Sequence, residues 1–242
     1  MATHFRIGTA AWALPRTVRE HFPEGASNLA RYAGRFDAVE INTSFYRPHR
    51  HGSYARWAAA VGEDFRFSVK LPKAISHEAK LKDCGAQLAE FFAQTSGLGV
   101  KLGAVLLQLP PKLAFDAGLA LRFLRDFREA SHVQLVCEPR HPSWFDPDAD
   151  ALLREHRVAR VAADPARVPE AARPGGWREL AYFRLHGSPR TYWSSYEPAA
   201  LDGWAAAACA AEASQRWVIF DNTASGAATE NALSLLAQSE VR

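Results

Sequence analysis

Glu138 and Arg140 stand two residues apart at the end of the apolar run that begins at Gln134, and the chain then breaks at Pro142. Strand residues two apart share a face, so a carboxylate and a guanidinium leave this run on one side. The pattern recurs. Glu40 and Asn42, Ser68 and Lys70, and Arg184 and His186 have the same spacing, while Gln108, Asp164 and the pair Asp221 and Asn222 close three further runs. Three chemistries fit such a set. Glu40 and Glu138 suit general acid/base or nucleophilic work of the glycosidase or sugar-isomerase kind, with His186 beside them as a third proton-transfer group. Lys70, Arg140, Arg184 and His186 suit an anionic substrate, because guanidinium forks grip carboxylate or phosphate in bidentate fashion. Glu138, Asp164 and His186 are metal-ligand types for a hydrolase or isomerase with metal-activated water. No HExxH spacing is present, the HxH pair His49 and His51 belongs to a separate loop, and Arg140 and Arg184 would repel a cation, so no metal ligands are assigned. The reading that uses most residues is a small anionic or sugar-like substrate worked on by a carboxylate.

Further candidates flank this set. His77 and His141 are candidates for proton transfer, since histidine is the side chain whose unperturbed pKa lies nearest neutrality. Tyr46 and Trp144 offer faces that stack on a sugar or base, or wedge loops together. Asn42, Gln108, Asp164 and Asn222 add hydrogen-bonding groups to the substrate side. The plainer alternative is that the charges pair with one another and fill the strand ends without function. A binding module without catalysis is the rival from another class, with Arg47, His49, Arg50 and His51 in one loop and Arg190, Tyr192, Trp193 and Tyr196 in another. Such loops can hold nucleic acid by phosphate contact and stacking. The formal charge of +3 is too mild to favour it.

These residues need elements to hold them at one end of a sheet. Eight apolar runs, at residues 5–8, 38–41, 65–70, 104–108, 134–138, 160–164, 181–185 and 217–220, alternate with amphipathic segments. Leu88, Phe91, Phe92 and Thr95 form one helical stripe, and Leu119, Phe123, Leu124 and Phe127 another. Asp116 and Asp146 are placed to cap helices, Pro147 fits a first turn, and the last helix should begin near Gly226. Repeated βα units with no linker predict a single-domain TIM (β/α)8 barrel over residues 1–242. Active sites of that fold lie at the C-terminal ends of the strands. An open doubly wound sheet is the runner-up, but GTAAWALP after the first run is not the glycine-rich turn such a fold uses. Long loops after the first, second, third and seventh runs are the expected site-builders.

Composition narrows the classes left. A 48% hydrophobic content supports a sizeable core, and the three cysteines, Cys84, Cys137 and Cys209, lack metal or redox spacing. They read as reduced thiols, which points to the cytoplasm. Neither a signal segment nor a membrane span is expected. The residues name no cofactor.

The segments GTAAW (8–12), VEINTSFYR (39–47), FRFSVKLPKAISH (65–77), LLQLPP (106–111), EPRHPSW (138–144), FRLHGS (183–188) and FDNTASGAATENA (220–232) stand in this order along the chain. Together they resemble the domain of unknown function 72 (YecE-like) family. The resemblance covers nearly the whole chain and implies a TIM barrel, while the family assigns no activity. Where the family commonly has FNN, this chain reads Phe220-Asp221-Asn222, which adds a carboxylate at the strand end.

Overall fold

A computed structural model describes residues 4–240. The elements in chain order are β1 (His4–Thr9), α1 (Asn28–Ala33), β2 (Ala38–Ile41), α2 (His51–Ala59), β3 (Arg66–Lys70), α3 (Gly85–Thr95), β4 (Leu102–Gln108), α4 (Ala117–Ala130), β5 (Gln134–Glu138), α5 (Pro147–Glu155), β6 (Val158–Arg160), β7 (Ala162–Asp164), β8 (Gly175–Gly176), β9 (Leu180–Leu185), α6 (Pro198–Ala210), β10 (Gln215–Phe220) and α7 (Ala227–Glu240). Each expected run is a strand, except that the sixth is split by Val161 into β6 and β7. Among the described residues no helix is long and apolar enough to cross a membrane.

The chain separates into two compact units. One comprises Met1–Glu40, Val161–Pro174 and Arg178–Arg242, and the other Ile41–Arg160 and Gly175–Trp177. In the first, four parallel strands run in the order β1-β10-β9-β7, with Ile7 opposite Val218, Val218 opposite Phe183 and Ala163 opposite Arg184. Their apolar side chains, such as Ile7, Phe183, Leu185 and Val218, are buried, as are Ala232 and Leu235 of α7. The site depends on one close approach in this unit. A Cβ on Gly8 would lie 2.1 Å from the Ala38 carbonyl oxygen, so only glycine lets β1 run this near β2.

In the second unit β3, β4, β5 and β6 pair in parallel order. Beyond β6 lies β8, antiparallel, with Gly175 opposite Arg160 and Gly176 opposite Ala159. The two expected helical stripes are buried at Leu88, Phe91 and Thr95 in α3 and at Phe123, Leu124 and Phe127 in α4, whereas Phe92 and Leu119 are half-buried. Phe92 meets Phe127 edge-on at 5.2 Å. Asp116 caps α4 by accepting from the Leu119 amide at 2.8 Å. Asp146 occupies the cap of α5 with Pro147 behind it, but its side chain makes no capping bond. The helix start is instead favoured by the fixed φ of Pro147, whose missing amide is no loss in the first turn.

Candidate functional site

In the first unit the polar residues at the strand ends form one buried network. Glu40 is held through its backbone, because the Ala11 amide donates to its carbonyl at 2.9 Å. Its side chain has no exposed surface. Arg184, also fully buried, donates to it from Nε at 3.2 and 3.1 Å and from NH2 at 2.7 Å. The Tyr182 hydroxyl adds a bond to Oε2 at 2.9 Å. Arg184 also reaches Asp221 Oδ2 at 2.8 Å. The same oxygen lies 3.1 Å from His186 Nδ1, while Arg184 NH1 stands 3.4 Å from His186 Nε2. These neighbours assign the tautomer: a carboxylate at Nδ1 favours a proton there, and a guanidinium at Nε2 favours a lone pair. Tyr182 and Arg184 in β9 and His186 just beyond its end are spaced two apart; the Arg184 and His186 spacing is the one read from sequence, and Tyr182 joins them at Glu40. One arginine faces two carboxylates, an arrangement that stabilises the interior charges against each other.

Two other expected residues of this unit have their own partners. Asp164 Oδ2 accepts from the Tyr196 hydroxyl at 2.6 Å, and the Tyr196 hydroxyl oxygen in turn accepts from the Gly187 amide at 2.9 Å. Burial, then the bond to Asp164, pushes the Tyr196 phenol well above its usual range, so it remains a donor. Asn222 is buried, and its Nδ2 donates to Ser194 O at 2.9 Å and to Asn231 Oδ1 at 2.8 Å.

In the second unit Glu138 ends β5 with 1% of its surface exposed. Its Oε1 accepts from Gln108 Nε2 at 2.8 Å and from Arg140 Nε and NH2 at 3.1 and 3.0 Å. The parallel register explains Gln108, which sits opposite Glu138 across β4 and β5. Unlike Arg184, Arg140 is partly open, with 22% of its side chain exposed. Lys70 ends β3, and its Nζ lies over the Phe45 ring at 4.3 Å from the centroid. Ser44 Oγ fixes the local backbone by donating to the carbonyls of Ile41 and Lys70 at 2.9 and 2.7 Å.

His77 lies within a turn of π-helix, Ala74–Glu78, with its ring edge-on to Phe45 at 5.0 Å. Such turns recur at functional sites. Partial burial, followed by the nearby charges of Lys70, Arg140 and Lys73, lowers its pKa, so this surface is electropositive and the imidazole is kept neutral near pH 7. Tyr46 stands edge-on to Phe45 at 5.0 Å with 81% of its surface open. Asn42 is half-buried at the head of the turn Thr43–Phe45 and does not cap it.

His141 and Trp144 have local partners instead. His141 Nδ1 accepts from the Ser143 amide at 3.3 Å and lies 2.9 Å from Ser143 Oγ, capping the turn Pro142–Phe145. Trp144 is buried, donates to Leu113 O at 3.0 Å and packs edge-on to Phe115. Its ring wedges loops, so the stacking face expected of it is taken by protein.

Residues absent from the expected substrate set are Asp221 and Tyr182, which the structure puts against Arg184 and Glu40. The signal was present: Asp221 directly follows the last strand, and Tyr182 precedes Arg184 by two on the same face. Among the described residues no three His, Cys, Asp or Glu side chains are grouped to share a metal ion.

The family model described as "Protein of unknown function DUF72" matches residues 6–242. A curated relative, the UPF0759 protein YecE of Escherichia coli K12, is 34% identical over 173 residues, which is 69% of this chain and 61% of that protein. The match therefore spans less than two thirds of the relative's length. Among solved structures, a DUF72 family protein from Enterococcus faecalis is similar at a TM-score of 0.81 and 23% identity, covering 100% of this chain and 99% of that one. A sugar phosphate isomerase/epimerase from Parabacteroides distasonis is similar at 0.54 and 12% identity, covering 100% and 97%. These are likenesses of fold, and with the alternating parallel strands and helices they make the fold TIM-barrel-like.

Proposed function

The chain belongs to the DUF72 family of proteins of unknown function, and from that premise we propose that it is an enzyme acting on a small anionic or sugar-like substrate, with Glu138 as its proton-transfer carboxylate. The observation that carries this reading is the setting of Glu138. Its Oε1 is held by Gln108 and by a partly exposed arginine, at the strand end where substrates of such folds are met. A carboxylate oriented through one oxygen by neighbours is prepared for acid/base work. Lys70, Arg140 and Lys73 bring positive charge to the surroundings of His77, and this supports an anionic substrate. Glu40 and His186 suit proton transfer less well in this reading. Their shared partner Arg184 is fully buried, whereas the Arg140 partner of Glu138 keeps 22% of its side chain exposed, so we assign Glu40 and His186 to holding the Arg184 guanidinium.

The likeness in fold to a sugar phosphate isomerase/epimerase makes sugar phosphates the first compounds to screen. A panel of aldose and ketose phosphates and sugar acids, incubated in D2O and followed by proton NMR, would reveal exchange at the carbon next to the carbonyl. The expected result is exchange with at least one compound, lost by about a hundredfold or more in Glu138→Gln. Arg140→Met should raise KM for the same compound. A folded Glu138→Gln protein, checked by circular dichroism, that exchanges as fast as wild type would refute the assignment.

A further inference from the structure

The loop after β9 carries side chains that the Glu138 reading does not use. Tyr192 and Trp193 are 40% and 46% exposed, and the Arg190 guanidinium sits over the Trp193 indole, 4.5 Å from its centroid. Their backbone is firmly tied. The Trp193 and Ser194 amides donate to Arg190 O at 3.1 and 2.9 Å, and the Ala224 amide donates to Tyr192 O at 3.0 Å. Ser225 Oγ donates to Trp193 O, and Asn222 Nδ2 holds Ser194 O at 2.9 Å. Tyr192 adopts φ 66°, a left-handed conformation that bulky L residues rarely take, and its ring stands edge-on to His186 at 5.3 Å. Large aromatic faces left in water at a strained and fully tied loop indicate a surface prepared for a ligand.

We propose that residues 190–193 form a nucleotide-binding subsite, in which a base stacks on Trp193 and Tyr192 and Arg190 holds phosphate oxygens. The two chemistries argue jointly for this class. An indole offers a stacking face that every base can use, and the guanidinium fork matches phosphate. An uncharged apolar partner would instead strip water from Arg190 and supply no counter-charge. The nucleotide has two sources, a free mononucleotide or an unpaired strand, and the experiment separates them.

Adenosine monophosphate is titrated by calorimetry, and a short fluorescein-labelled oligothymidylate by anisotropy at low and moderate salt. At least one should bind the wild-type protein saturably. Trp193→Ala should weaken that binding about tenfold, and Arg190→Met should weaken it and reduce the salt slope by about one. Binding of the strand without the mononucleotide assigns the subsite to unpaired strands, and equal occupancy by the mononucleotide assigns it to free nucleotide. Both variants replace exposed side chains, so unchanged circular dichroism is the fold control. The inference is overturned if neither probe binds wild type, or if both variants bind as wild type does. Neither variant touches Glu138, Gln108 or Arg140, so the outcome stands apart from the fate of the proposed activity.

Discussion

Arg184 is the most buried cation of the network that contains it, and what it does follows from its neighbours. With Glu40 and Asp221 both accepting from it, removal of the guanidinium would leave two carboxylates inside the protein with one fewer donor. Breaking a buried pair from one side typically costs about 3–5 kcal/mol. Arg184→Met should therefore lower stability by that order in urea unfolding, and a change under about 1 kcal/mol would mean that water reaches the network. His77 makes the opposite kind of test, through titration. Its pKa is lowered by burial first and then by Lys70, Arg140 and Lys73, and that of His49 by burial and then Arg47. In the folded state each binds fewer protons than in the unfolded chain, so stability rises with pH from their folded pKa values toward the free value of about 6.5 and is fully present above it. Stability should accordingly fall as the pH drops below about 6.5. Lys70→Met should move the His77 pKa upward in an NMR titration of the imidazole protons, and no movement would show that the Lys70 charge is not felt at the ring.

At the scale of elements, the end of one strand is as informative as its middle. Gly8 in β1 admits no side chain beside the Ala38 carbonyl, and Ala10 and Ala11, which follow, bridge to the backbone of Glu40. Gly8→Ala should push β1 and β2 apart and cost about 1–3 kcal/mol, measured by thermal or urea unfolding. Asp116→Ala, which removes only the cap of α4, should cost about 1 kcal/mol and leave the strands untouched. The elements themselves were legible because buried parallel strands write continuous apolar runs and helices write a stripe. β8 was not, since Gly175 and Gly176 have no pattern to read; Gly176, at φ 62°, is required because a Cβ there would meet the Val158 carbonyl oxygen at 2.4 Å, while at Gly175 the nearest atoms are the movable end of Arg160. Strand-end residues were legible as a class, through spacing and position, but their partners were not. Glu40 and Arg184 are 144 residues apart, and nothing local to either shows that it will meet the other. Trp144 fails in the same way, because only the path of the loop at Leu113 and Phe115 decides that its ring is covered.

At the scale of the whole molecule, the three cysteines give an inexpensive probe of which parts are closed, and all three are free thiols. Cys137 lies in β5 immediately before Glu138, buried among apolar neighbours, and burial followed by the charge of Glu138 pushes its thiol far above the usual range. Cys84, at the head of α3, is also buried; burial and then Asp126 and Asp83 raise its pKa to about 11. Cys209 is exposed on α6. Since the thiolate is the reactive form, both access and ionisation protect the first two, while the third is open to reagent. Titration of the native protein with an aromatic disulfide reagent at pH 8 should therefore show one thiol reacting rapidly. The other two should react only as fast as the protein opens, and all three should react at once in concentrated urea. Because Cys137 shares its strand with Glu138, its labelling rate measures how often the floor beneath that carboxylate becomes accessible to reagent. Rapid labelling of Cys137 in the native protein would contradict the closed strand on which the placement of Glu138 depends.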